Sequence, residues 1–257
     1  MKLSIAVAGK GGIGKTTLSA ILVRTLKEMG KRPVLAVDAD PNSNLAEALG
    51  VDLGRPLAEI REERSNPEGS PPSGVGRVRA VDDDVQRAIT EAEGFDLITM
   101  GRPEGQRCYC YVNNLLRTSL DDLAKGYSTV VMDNGAGMEH ISRRTTNDVD
   151  VLIAILNPTA PSLRAAKRIV ALSRELPIKI GHIAVLVNRV GPNGVPAAIE
   201  GELATLDAIR LTDVPNDPDV EEAGAIGEDA FSVPETSPVL SAAKTVVEKL
   251  FDTLSTA

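Results

Sequence analysis

The segment Gly9-Lys10-Gly11-Gly12-Ile13-Gly14-Lys15-Thr16-Thr17 follows a short apolar run, Leu3 to Ala8, and opens into a stretch of helical spacing near Thr17. It fits G-x-x-x-x-G-K followed by Ser or Thr, a pattern that acts only with a strand before it and a helix after it. The glycines let backbone N–H groups converge on phosphate oxygens, and the helix N-terminus adds a positive dipole. Gly11, Gly12, Ile13, Gly14, Lys15, Thr16 and Thr17 are therefore the candidate nucleotide-binding residues. Lys15 would reach the terminal phosphates, and the Thr16 hydroxyl would be open to Mg²⁺. The competing reading, a glycine turn with a chance Lys and Thr, does not explain the strand-loop-helix context.

That opening carries expectations for the rest of the chain. Short apolar runs recur at Pro33 to Val37, Phe95 to Met100, Thr129 to Met132, Val151 to Leu156 and Ile183 to Val187, with helical stretches between them. The alternation predicts an α/β fold, a mostly parallel central sheet covered by helices on both faces, as a single P-loop domain over residues 1–257. A chain of 257 residues, 42% of them hydrophobic, can bury a core of that size. Ligands in such sheets sit at the carboxyl ends of the strands, where every motif here falls. Ser65 to Gly76, rich in Pro, Gly and Ser, reads as a flexible surface loop. Ser241 to Leu254, with Val246, Val247, Leu250 and Leu254 at helical spacing, reads as a terminal helix docked on the core, and its balanced charges argue against the alternative of a basic membrane anchor.

Composition narrows the partners. Lys and Arg number 28 against 36 for Asp and Glu, and a net charge of -8 argues against a broad nucleic-acid footprint. No run reaches the roughly 18 to 20 apolar residues of a membrane span, so the expectation is a cytoplasmic protein without nucleic-acid or membrane partners. The two cysteines, Cys108 and Cys110, stand too close for an unstrained bridge and read as reactive or metal-binding thiols in a reducing compartment. Two thiolates cannot complete a four-coordinate soft-metal site, but a two-fold axis would assemble four. Arg102 and Arg107 would favour the thiolate form. The plainer alternative is a pair of small apolar residues packed beside Tyr109 and Tyr111.

Acidic groups supply the remaining chemistry. The second predicted strand ends in Asp38-Ala39-Asp40-Pro41-Asn42, two carboxylates at the edge that carries the phosphate loop. One could hold a metal's water while the other orients or deprotonates an attacking water. Alternatively, Asp40 and Asn42 cap the following helix. A further strand ends in Asp133, followed by Gly135 and Gly137.

The second lysine of the loop, Lys10, resembles the deviant Walker A of the MinD, ParA and nitrogenase iron protein superfamily. The resemblance implies an ATPase cycling between ATP and ADP, whose nucleotide-dependent homodimer brings Lys10 to the facing subunit's nucleotide. The alternative for Lys10 is a solvated surface charge. The same resemblance places Asp38 and Asp133 on the Mg²⁺ side, through water, with Asp40 activating water. Lys10, Lys15 and Asp40 thus form the implied catalytic set. Asn188, and Pro215 in Val214-Pro215-Asn216-Asp217, resemble the superfamily's base-binding loops, with ordinary turn chemistry as the other reading.

Together with Cys108-Tyr109-Cys110 and Asp133 to His140, these motifs resemble the CooC-type nickel ATPases that mature carbon monoxide dehydrogenase, over roughly Met1 to Asp217. That resemblance implies Ni²⁺ held between subunits on Cys108 and Cys110, with Zn²⁺ a substitute in vitro. It also implies a metal-dependent dimer, a partner such as carbon monoxide dehydrogenase or a related nickel enzyme, and slow turnover without that partner. Tyr111 departs from the charged or proline residue common at its position. A nitrogenase-like protein would need one cysteine from each of two separate loops. The alternative function is a MinD/ParA-like dimerisation switch in positioning or partition, which would want a basic DNA surface or a basic amphipathic tail.

Overall fold

A computed structural model of the protein describes residues 2–64, 75–102, 118–135, 148–176 and 178–255. In chain order the elements are β1 (Leu3–Gly9), α1 (Lys15–Glu28), β2 (Val34–Asp38), α2 (Leu45–Ala48), α3 (Leu57–Arg64), α4 (Val75–Arg87), β3 (Ile89–Ala92) and β4 (Phe95–Thr99). A helical stretch over 118–124, α5, precedes β5 (Thr129–Asp133), β6 (Asp148–Leu156), α6 (Ala160–Ser173) and β7 (Lys179–Val187). Then come α7 (Ala197–Leu203), β8 (Ile209–Arg210), α8 (Pro218–Ile226) and α9 (Pro238–Ser255).

Among the described residues eight strands form one sheet, in the order β3-β4-β2-β5-β1-β6-β7-β8. All pairs are parallel except β3 with β4. The predicted α/β architecture is therefore the observed one, and its six apolar runs are the six longer strands. Each central strand is buried on both faces, which is why it reads as a continuous apolar run rather than an alternation. Side chains still divide by face. Leu3, Ile5 and Val7 of β1 pack with α1, α8 and α9, whereas Ala6 and Ala8 pack on the side of α3, α4, α6 and α7. A fully buried Leu or Ile contributes roughly 1.5–3 kcal/mol, so the two layers outweigh any single polar contact in holding the sheet.

Two strands escaped the sequence reading. β3 is half-exposed and β8 is two residues long, so neither has an apolar run to betray it. The surface-loop expectation for Ser65 to Gly76 needs correction at its end, because Val75 and Gly76 open α4; residues 65–74 lie outside the described part. The terminal helix is present and longer, with Val246, Val247 and Leu250 fully buried. Among the described residues, no helix is long and apolar enough to cross a membrane.

The topology also sets the position of the site. From β1 the chain crosses past β5 to β2, and β6 later pairs on the other side of β1. The loop after β1 thus stands at a switch point, with a crevice above the carboxyl ends of its neighbours.

Candidate nucleotide-binding site

The loop's shape depends on glycine at two points. At Gly9 a Cβ would come within 2.5 Å of Ile13 Cδ1 and 2.9 Å of the Ile155 carbonyl oxygen, so only glycine lets the loop fold back against β6. Gly14, the residue before α1, has φ of 89°, and a Cβ there would stand 2.8 Å from Asn188 Nδ2. The following amides of Lys15, Thr16 and Thr17 begin α1, where N–H groups have no intrahelical acceptor and are free for an anion. Lys15 is buried, and its Nζ donates to the Lys10 carbonyl at 3.4 Å. The Lys10 side chain itself is exposed.

Asp38 and Asp133 close β2 and β5 in register with one another. Their side chains therefore share one face of the sheet. Asp133 accepts the Thr16 hydroxyl at 2.7 Å on Oδ2 and the Ser19 hydroxyl at 3.2 Å on Oδ1. Burial pushes its carboxyl up to about 6, against the opposing pull of Thr16, Lys15 and Ser19. Asp38 accepts the Leu45 amide at 2.8 Å and the Asp40 amide at 3.0 Å. Burial pushes it up to about 7; the Leu45 and Asp40 amides pull down, and the nearby Asp133 charge pushes further up. Two buried carboxyls beside a hydroxyl are hard oxygen donors, the kind of group that can hold a divalent cation.

Asp40 lies beyond the strand, half-buried. Its Oδ1 accepts the Asn42 amide at 2.9 Å and the Asn42 side-chain amide at 3.0 Å, while Oδ2 lies 3.3 Å from where a Cβ on Gly135 would stand. The expectation that Asp40 or Asn42 caps the next helix is corrected: Asp38 takes the Leu45 amide, and neither of the other two bonds to α2. A cavity of about 540 Å³ opens over the loop, bounded by Gly11, Gly12, Lys15, Thr16, Asp40 and Gly135. Arg102 and Arg189 also line it. The sequence reading gave Arg102 to the cysteines and passed over Arg189, although that residue directly follows Asn188 at the end of β7.

A second cavity of about 330 Å³ joins the first through Gly14, Thr17 and Arg189 and brings Asn188 and Pro215 together. The juxtaposition is built by the backbone. Val190 bridges Pro215, and the Asn216 amide donates to the Val190 carbonyl at 2.9 Å. Asn188 is buried and donates its Nδ2 to the Ile13 carbonyl at 2.8 Å, tying the end of β7 to the phosphate loop. Cys108, Cys110 and Tyr111, with Gly137, Glu139 and His140, lie outside the described residues.

Comparison with known proteins agrees with this geometry. The CobQ/CobB/MinD/ParA nucleotide binding domain model matches residues 4–230. An uncharacterized ATP-binding protein of Methanocaldococcus jannaschii is 38% identical over 96% of this chain and 98% of its own length. The carbon monoxide dehydrogenase accessory protein CooC of Rhodospirillum rubrum is 38% identical over 71% of this chain and 73% of its own. Among solved structures, the septum site-determining protein MinD of Pyrococcus horikoshii, complexed with Mg-ADP, superposes with a TM-score of 0.67 at 23% identity. That superposition covers 99% of this chain and 98% of the MinD chain, and it shows the shared fold. The chain belongs to the CobQ/CobB/MinD/ParA nucleotide-binding domain family and is an ATP-binding P-loop ATPase of the MinD/ParA kind.

Proposed function

We propose that this ATPase is a nickel metallochaperone, a single ATPase domain in which nucleotide binding pairs two copies and Cys108 and Cys110 of each hold a shared Ni²⁺ for delivery to a nickel enzyme. The observation that carries the metal reading is the pair of cysteines two residues apart in a chain that has no others, joined to similarity with a carbon monoxide dehydrogenase accessory protein. The exposed Lys10 side chain, free to cross a dimer interface, supports the pairing. Carbon monoxide dehydrogenase, or an enzyme of similar metal content, is the proposed client.

In this reading the amides of Gly11 to Thr17 and the Lys15 ammonium bind the phosphates, and Asn188 with Pro215 holds the base. Thr16 directly, and Asp38 and Asp133 through water, would hold Mg²⁺, which when bound neutralises charge on the β- and γ-phosphates. Asp40 orients the attacking water and takes its proton as the oxygen bonds to the γ-phosphorus. The bond from that phosphorus to the bridging oxygen breaks, and ADP keeps the electron pair. Asp40→Ala should leave nucleotide affinity within about twofold and slow turnover about 100-fold or more, as loss of a general base does. Single-turnover hydrolysis at the wild-type rate would remove Asp40 from this role.

The metal reading is tested by titrating Ni²⁺ or Zn²⁺ with and without a non-hydrolysable ATP analogue. About one metal per dimer, with thiolate charge-transfer absorbance, is expected, and Cys108→Ser with Cys110→Ser should abolish both. Unchanged stoichiometry in that variant would reject the thiolate site. A second reading, an ATP-dependent dimerisation switch without cargo, is favoured by the MinD-like fold and would then stand alone.

A further inference from the structure

Between α1, α2 and α8 runs a groove of about 270 Å³ that meets the cavity over the phosphate loop at Thr16, Thr17 and Asn44 and extends away from it. Its floor is apolar, made by Ala20, Ala48, Ala223 and Ala230 with Ile21, Val220 and Val233 beside them. Its lips are acidic. Glu47 and Glu228 are exposed, and Glu47 Oε1 lies 3.9 Å from where a Cβ on Gly227 would stand, which sets Glu47 beside the turn that carries Glu228. Asp229 behind them is held in place by accepting the Phe231 and Ser232 amides. Among the described lining residues there is no Lys or Arg, and from Leu211 to Ala243 the sequence has eight carboxylates and no basic side chain. Asp213 is paired with Arg210 and Asp217 is buried, so the negative charge of this flank is carried by the other six.

The groove is mechanically joined to the phosphate site. Arg24 of α1, buried and paired with Glu28, donates to the carbonyls of Ala230 at 2.8 Å and Val233 at 2.5 Å, holding the far wall to the phosphate-loop helix. Thr16 and Thr17 line both the groove and the cavity over the loop. An occupant here would feel the state of the nucleotide.

The lining chemistry selects that occupant. An apolar floor of alanines, Ile21, Val220 and Val233 suits a short aliphatic side chain, and the exposed carboxylates of Glu47 and Glu228 on the lip call for a cation. Nucleic acid, or the same face of a second copy, would meet like charge. We infer that the groove docks a basic segment of a partner protein, with Lys or Arg heads on Glu47 and Glu228 and a short aliphatic side chain on the apolar floor. The inference is independent of whether the ATPase delivers metal or acts as a switch.

The test uses the full chain loaded with a non-hydrolysable ATP analogue and a fluorescein-labelled helical peptide with Lys on one face and Ala and Leu on the other. Saturable binding is expected, weakened by salt and weakened about tenfold or more by Glu47→Lys with Glu228→Lys, since two charge pairs become repulsions. The same variant should keep the wild-type nucleotide affinity and melting temperature. Asp83→Lys with Glu175→Lys, exposed positions on the opposite face of the sheet, should leave peptide binding unchanged. Equal binding by the groove variant, or equal binding of a peptide with Glu in place of Lys, would overturn the proposal. Self-association of the wild type that the groove variant abolishes would overturn it in favour of a second copy.

Discussion

Lys15→Ala should lower nucleotide affinity about 100-fold or more, the scale of losing a charge-assisted contact to phosphate in a partly buried site. The side chain is buried at the start of α1, and its ammonium is turned onto the Lys10 carbonyl at 3.4 Å, a long and weak bond for a charged donor. A triphosphate offers that ammonium far stronger acceptors, so little is given up when it turns to the ligand. Lys15 also draws down the Asp133 carboxyl, and its loss leaves that acid harder to ionise. Lys15→Ala should thus also weaken Mg²⁺ dependence, whereas Lys10→Ala, altering an exposed side chain, should leave single-site affinity nearly intact. Isothermal titration with Mg-ATP analogue separates the two; equal losses in both variants would show that the buried lysine has no special role.

Asp133→Asn should have opposite effects on stability and on activity. Burial raises this carboxyl from about 3.8 to about 6, so holding it ionised in the folded chain costs on the order of 3 kcal/mol above neutral pH. Folding therefore gains most from this group at pH below about 3.8, and the gain is lost as pH rises through about 6. Asn removes the charge and keeps contact with Thr16 and Ser19, whose hydroxyls can turn to match an amide. Nucleotide-free Asp133→Asn should melt higher than wild type at pH 8, by on the order of 5 °C, with the gap closing toward pH 4. Asp38, raised to about 7, should extend the wild-type decline to slightly higher pH. Mg²⁺-dependent turnover should fall about 100-fold or more, because the proposed cation site loses one of its carboxylates. A melting gap equal at pH 4 and pH 8 would contradict the burial argument. Full turnover would take Asp133 out of the cation site.

Much of this was legible before folding was known. The loop at Gly9 to Thr17 can be read because a cradle of backbone amides is built from consecutive residues, a pattern local in sequence. The long parallel strands are legible because burial on both faces leaves them no polar positions. β3 and β8 were not, since an edge strand needs only one neighbour and carries no distinguishing composition. The role of Asp38 as acceptor for the Leu45 amide was missed for a different reason. Capping is usually sought next to the helix, and here the acceptor stands seven residues back, brought round by the turn after β2.

Sequence alone determined the chemistry in hand: the phosphate loop, the acids at strand ends, the paired thiols and the parallel α/β plan. Each is written in contiguous residues, so local rules suffice to find it. Tertiary structure decided which of those groups act on one another. Asp38 and Asp133 are far apart in the chain and become neighbours only because β2 pairs with β5. Asn188 meets Ile13 only because β6 and β7 extend the sheet beyond β1. The acidic groove beside α1 likewise exists only once α2 and α8 are packed. Registers, burial and the pKa shifts that follow depend on distances between remote segments, and those are set by how the two hydrophobic layers close on the sheet.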